Sequence, residues 1–385
     1  MSNKISWVII GLVCLVFVIW GLWLGIGGCA RTTQEIETTT TTIAETKGWS
    51  YVGDPGFSNQ SGSNVCLFLN NGTPFVAFNV GATALVMKYT GSSWEYIGDP
   101  VSGDTLGPLT GPTAFFVNNG TAYLAVREEQ FGTYGGKVSV FKFSGVSWES
   151  VGERGFSAGT ADYISLYVYN DTPYVAFQDH VNNYGTTVMK YNNSSWENVG
   201  APGLSESTSD ISLSVQNGVP YVAYIGKGAT VMKYNGATWE SVGEQNFTPL
   251  VDFLSFYIYN GIPYVAYSDV STKDFGKCSA MKFNGTAWEY IGGQYFSPGS
   301  VSYVSMFIYN NIPYVAYMDW GFPSLGRATL MKFDGNNWNS IGSVGFSGIG
   351  HAVTYTSLFI SNGIPHVAFS DVDNNGKISV MKYVE

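Results

Sequence analysis

Hydrophobic residues fall in short bursts along the chain, alternating with polar positions or running unbroken, and most bursts end at an asparagine or glycine pair. Around Asn260 the bursts read LSFYIYN, IPYVAYSD, SAMKFNG and AWEYIG. They are rich in Tyr, Val, Ile and Phe, which predicts four strands joined by tight hairpins. The second burst, with its turn, returns seven times at spacings of 43 to 52 residues: NGTPFVAF at Asn71, NGTAYLAV at Asn119, NDTPYVAF at Asn170, NGVPYVAY at Asn217, NGIPYVAY at Asn260, NNIPYVAY at Asn310 and NGIPHVAF at Asn362. A four-strand unit repeated at that period predicts an all-β, seven-bladed β-propeller.

Two further columns orient the blades. The fourth burst always carries a tryptophan (Trp49, Trp94, Trp148, Trp196, Trp239, Trp288, Trp338), expected as a wedge between neighbouring sheets. Five residues before each aligned asparagine stand Cys66, Ala114, Ser165, Ser212, Ser255, Ser305 and Ser357, small side chains that place the first burst at the crowded central channel. The repeat region opens with a lone fourth-type run, GWSYVG, and closes after a third-type run, ISVMKYVE. The N-terminal strand is therefore expected to complete the last blade and remove the open sheet edges.

Upstream, residues 5–28 form 24 uncharged, largely apolar positions, long enough to cross ~30 Å of hydrocarbon as a helix. The IGGC ending at Cys29 also resembles a lipobox, in which the cysteine is lipidated after cleavage. Either way, residues 1–31 read as a transmembrane anchor or lipoprotein signal, residues 32–47 as a Thr-rich linker and residues 48–385 as the propeller. Lys4 ahead of the apolar run puts the propeller on the extracellular or periplasmic side of the cell membrane. The net charge of −10 excludes a nucleic-acid backbone as partner. Cys66 and Cys278 fall in different repeats and read as free packing thiols.

The motifs NGxPYVAY, VMKY and WExVG, recurring over residues 48–385, resemble the repeats of secreted and surface-bound bacterial and archaeal β-propellers. That resemblance implies a binding scaffold and names no ligand. Antiparallel blades put the tight turns on one face and the variable loops, such as REEQFGTYGGK and DWGFPSLGR, on the other, where binding groups concentrate.

On the variable face an acid follows the second strand at Glu128, Asp179, Asp269, Asp319 and Asp371, with Val80 and Gly226 breaking the column where the next loop is shortest. The acids read as loop-shaping groups. Glu128, Asp179 and Asp319 also join Arg127, Arg327, Tyr184 and Trp320 as candidate ligand contacts. Tyr163, Phe253, Tyr303 and Tyr355 share an offset ahead of the inner strand and read as aromatic packing at the channel mouth, where sugars also stack. The repeating lysines before Tyr or Phe on the third strand read as exposed strand positions, and the neighbouring methionines as blade-to-blade packing.

DVDNNGK matches the opening of a calcium loop through Asp371, Asp373 and Asn375 but has Lys382 where the closing glutamate belongs. Calcium there is the one cofactor considered. No motif joins His180, His351 or His366 to a nucleophile, and no catalytic residue is assigned. The expected function is glycan or surface-protein binding on the variable face. The alternatives are a polysaccharide hydrolase or lyase at the channel mouth and a structural cell-envelope component.

Overall fold

The computed structural model describes residues 47–385 apart from 82, 103–113, 129–132, 272–275 and 349–351. The apolar segment 5–28, Cys29, the Thr-rich stretch to residue 46 and His351 lie outside the described residues. Among those described, no helix is long and apolar enough to cross a membrane.

Each repeat folds as one antiparallel sheet. Blade 5 is representative: Val251–Tyr259, Ile262–Asp269, Lys277–Phe283 and Trp288–Tyr290, hydrogen-bonded in that order. The described residues form seven such sheets, and blade 1 carries an extra short strand, Val101–Ser102. In blade 7 the order is Val353–Ser361, Ile364–Asp371, Lys377–Val384 and then Gly48–Tyr51, so the first strand of the fold does complete the last blade. Each inner strand also meets the next, including Val353–Ser361 against Ser63–Asn70, which closes the ring.

The repeated asparagine has a backbone cause. At the inner hairpin Asn260 and Gly261 both take left-handed φ, 50° and 79°, the mirror-image turn whose twist matches the strands it joins. Where glycine is missing, Asp171 (φ 59°) and Asn311 (φ 63°) stand in, both short polar side chains that tolerate this region.

The hydrophobic core is divided into seven clusters, each built from two adjacent blades. The second strand of a blade serves both of its interfaces, so consecutive residues such as Val265, Ala266 and Tyr267 are all 0% exposed. That double burial is why PYVAY reads as an unbroken apolar run rather than an alternating one.

The tryptophans act as the expected wedges, with a polar component the pattern did not reveal. All seven indole Nε1–H groups donate across the interface, Trp49 to the Ile341 carbonyl, Trp94 to Val52, Trp148 to Ile97, Trp196 to Val151, Trp239 to Val199, Trp288 to Val242 and Trp338 to Ile291, at 2.7–3.0 Å. Five of them stack on a phenylalanine at 3.6–4.2 Å, as Trp288 does on Phe247. The glycine ending WExVG has left-handed φ and no room for a side chain: a Cβ on Gly342 would lie 2.9 Å from Trp49 Cδ1.

The small column also does more than save space. Ser357 accepts a hydrogen bond from the Leu67 N–H of the next blade (2.9 Å), and Ser165, Ser255 and Ser305 repeat the bond to Leu213, Met306 and Leu358. Cys66 occupies one of these slots, and neither it nor Cys278 is in a disulfide among the described residues. Burial pushes the Cys66 thiol up to about 11 and Cys278 well above its ordinary value.

Candidate functional site

Two residues ahead of the small column the inner strand bulges. The register slips between Asp162 and Ser165, and at the matching place in five other blades. The residue inside each bulge is left-handed: Asn64 (φ 52°), Tyr163 (48°), Asp210 (45°), Phe253 (56°), Tyr303 (53°) and Tyr355 (56°). An asparagine or aspartate accepts this backbone; four bulky aromatics do so at ~1 kcal/mol or more each. A bulge re-aims the side chain it holds. All six side chains line one cavity of ≈330 Å³ at the axial mouth of the variable-loop face.

Around this cup Phe253, Tyr303 and Tyr355 form a continuous arc, with ring centroids 5.2 and 4.8 Å apart. Asp210, one blade before Phe253, closes the gap towards Tyr163. Its Oδ2 accepts from the Phe253 N–H at 2.7 Å and the Leu254 N–H at 3.4 Å. Burial raises the Asp210 carboxyl above its ordinary value, those two N–H groups pull it back, and Asp252 pushes it up again. The Tyr163 hydroxyl is raised by burial first, then by the charges of Asp210, Asp162 and Asp252.

Below the small column lies a layer that sequence reading missed. Phe116, Phe68, Phe359, Phe307 and Tyr257 follow one another around the channel, Tyr167 adjoins Phe116, and successive centroids are 4.7–4.9 Å apart. Blade 4 contributes Ser214 at this level. All seven stand three residues before the repeat asparagine, so the same counting that found the serines would have found them.

The candidate contacts divide into two groups. Trp320 is 50% exposed, and its Nε1–H lies 3.4 Å from Ser302 Oγ, the neighbour of Tyr303, so it stands at the rim of the cup. Tyr184 is 51% exposed beside His180, with centroids 4.6 Å apart. His180 Nε2 in turn lies 2.9 Å from Asp162 Oδ2.

The other five are turned inward. Asp179 is buried and accepts from the Val181 N–H, Asn182 Nδ2 and Thr187 Oγ1 at 2.8–3.1 Å. Asp319 likewise holds the Gly321 N–H, Ser324 and Thr329. Glu128 is 1% exposed and gripped by both arms of Arg154, at 2.9 and 2.8 Å. Arg127 is buried against Asp162. Arg327 donates to the carbonyls of Pro323, Ser324 and Gly348, clamping its own loop. The polar atoms of these five are engaged in shaping the loops.

Asp371 is buried, and its Oδ2 accepts from Asn374 Nδ2 and Ser379 Oγ at 2.9 and 2.7 Å. Asn375 supplies the left-handed residue of the turn. Asp179 heads the same short 3-10 turn in DHVNNYG, which has no calcium pattern, so turn chemistry accounts for both loops. No set of three His, Cys, Asp or Glu side chains suited to a metal gathers among the described residues.

No family model matches the sequence, and no curated protein does. Among solved structures the chain is similar to a PL25 polysaccharide lyase, an ulvan lyase bound to -[GlcA(1-4)Rha3S]-, at 13% identity and TM-score 0.54 over 88% of this chain and 96% of that one. It is also similar to the SapL1 lectin in complex with alpha methyl fucoside, at 15% identity and TM-score 0.50 over 77% and 99%. At such identities the likeness shows the fold: the chain is a seven-bladed β-propeller.

Proposed function

We propose that this propeller binds carbohydrate in the axial cup of its variable-loop face. The observation that carries the reading is the column of four left-handed aromatics: a backbone cost repeated at one level of the ring and spent on presenting Tyr163, Phe253, Tyr303 and Tyr355 to a single cavity. Aromatic faces stack on sugar C–H surfaces, while Asp210 and Asn64 offer polar atoms to hydroxyls. The cavity is at the small end of ligand sites, so it suits one sugar unit of a longer chain, with Trp320 available at the rim for the next. Both similar propellers named above hold saccharide, an analogy of fold alone.

A glycan array probed with the full-length protein in detergent tests this. Tyr303→Ala is expected to weaken binding by about 30-fold, the loss of a central aromatic anchor. Unchanged affinity would remove the cup from consideration, and an array with no bound glycan would favour a purely structural envelope role.

One observation favours a second reading, a polysaccharide hydrolase or lyase: the Asp210 carboxyl lines the same cavity as Tyr163, whose hydroxyl is raised by burial and then by the charges of Asp210, Asp162 and Asp252. Shortened products released from a bound glycan by the native protein, and not by Asp210→Asn, would establish it.

We propose further that residues 5–28, or a lipid on Cys29, hold the propeller at the outer side of the cell membrane, on the strength of the long uncharged run behind Lys4. Recovery of the intact chain in the soluble fraction would overturn this.

A further inference from the structure

Charge distinguishes the cup from an ordinary aromatic sugar site. None of its lining residues among those described is lysine, arginine or histidine. Of the three carboxyls whose charges act on Tyr163, Asp162 is paired with Arg127 and lies within reach of His180, whereas neither Asp210 nor Asp252 belongs to a salt bridge among the described residues. Asp210 lines the cavity wall between Tyr163 and Phe253, and both of its hydrogen bonds to the backbone fall on Oδ2. Asp252, one residue before Phe253, is exposed, and its charge acts on Asp210.

We infer that the cup selects a ligand bearing a positively charged nitrogen, which on a glycan is the free amine of an amino sugar. Several aromatic faces around one small cavity, with a carboxylate in the wall, are the arrangement that stabilises an ammonium group: the rings through their negative faces, the carboxylate through its charge. An arriving cation also supplies a countercharge that half-buried Asp210 does not find in a salt bridge among the described residues, and partial burial and Asp252 both disfavour its ionised form. A sulfated or uronic sugar would meet the reverse, an anion placed against the Asp210 carboxyl with no cation among the described lining residues.

The inference rests on the carbohydrate reading above, and the experiment separates the two. Full-length protein in detergent is titrated calorimetrically, at low ionic strength, with glucosamine oligomers, with N-acetylated oligomers of the same length and with tetramethylammonium. The expected result is about tenfold tighter binding of the free amine than of the acetylated sugar, lost in Asp210→Asn and reduced in Asp252→Asn. Asp252 is exposed, so its variant keeps the test open should Asp210→Asn fail to fold. Equal affinity for the two oligomers overturns the charge preference and leaves carbohydrate binding standing. Binding of tetramethylammonium without either sugar upholds the cation site and removes the carbohydrate reading; binding of none of the three overturns both.

Discussion

A chain beginning at residue 53 is expected to melt about 10 °C below one beginning at residue 47, and to aggregate on heating. The missing strand, Gly48–Tyr51, pairs along Lys377–Val384 with Trp49 opposite Tyr383 and Ser50 opposite Lys382. Without it blade 7 ends in an unpaired strand, an open template for another chain. The loss extends beyond the sheet edge. Trp49 stacks on Phe346 at 3.6 Å and 5°, and donates to the Ile341 carbonyl of blade 6. The Val52 carbonyl receives the Trp94 indole of blade 1. Removing one such buried aromatic costs about 3–5 kcal/mol, and the lost strand pairing adds to it. For a domain of this size each kcal/mol moves the midpoint by roughly 2–4 °C. Scanning calorimetry of the two chains decides it, and identical midpoints would mean that the ring closes by the other six interfaces alone.

Arg154→Leu is expected to destabilise the propeller by about 3–5 kcal/mol, more than any exposed charge deletion. Glu128 has 1% of its side chain accessible, and Arg154 supplies both of its close bonds while lying 4.8 Å over the Tyr134 ring. Taking the guanidinium away leaves a largely buried carboxylate without its bidentate partner. Adding Glu128→Leu to the same chain should recover much of the loss, because an apolar pair replaces a buried ion pair at little cost. The contrast is Lys282 with Glu289, 3.2 Å apart but 43% and 44% accessible, where Lys282→Ala should move stability by less than ~1 kcal/mol. Urea midpoints of the four proteins test the set; an Arg154→Leu cost below ~1 kcal/mol would show that Glu128 is compensated from elsewhere.

The fold was legible because its determinants are local and repeated. Two left-handed residues at each hairpin require Asn with Gly, Asn or Asp, and a doubly buried strand requires PYVAY without a polar break. An indole facing a backbone carbonyl requires the glycine of WExVG. The candidate site was less legible for an equally physical reason. Strand alternation cannot be carried through a bulge, so the four matched aromatics could be aligned but not aimed, and Asp210 and Asn64, in the same column, went unnoticed because they are not aromatic. Loop acids posed the opposite problem. Whether Asp179 faces solvent or Thr187 depends on how DHVNNYG turns, which composition does not specify. Trp320 and Tyr184 stood out because large aromatics in variable loops have little core available to them.

One consequence of the indole bonds concerns how such a ring can change. Every acceptor is a main-chain oxygen at the same step of the neighbouring sheet, so the indole bond itself reads no side chain; the glycine that clears its way and, at five seams, the stacked phenylalanine supply the rest of the joint. Sectors joined in this manner are interchangeable parts. Duplication or exchange of one leaves the seams intact, while the crown of loops above them is free to diverge.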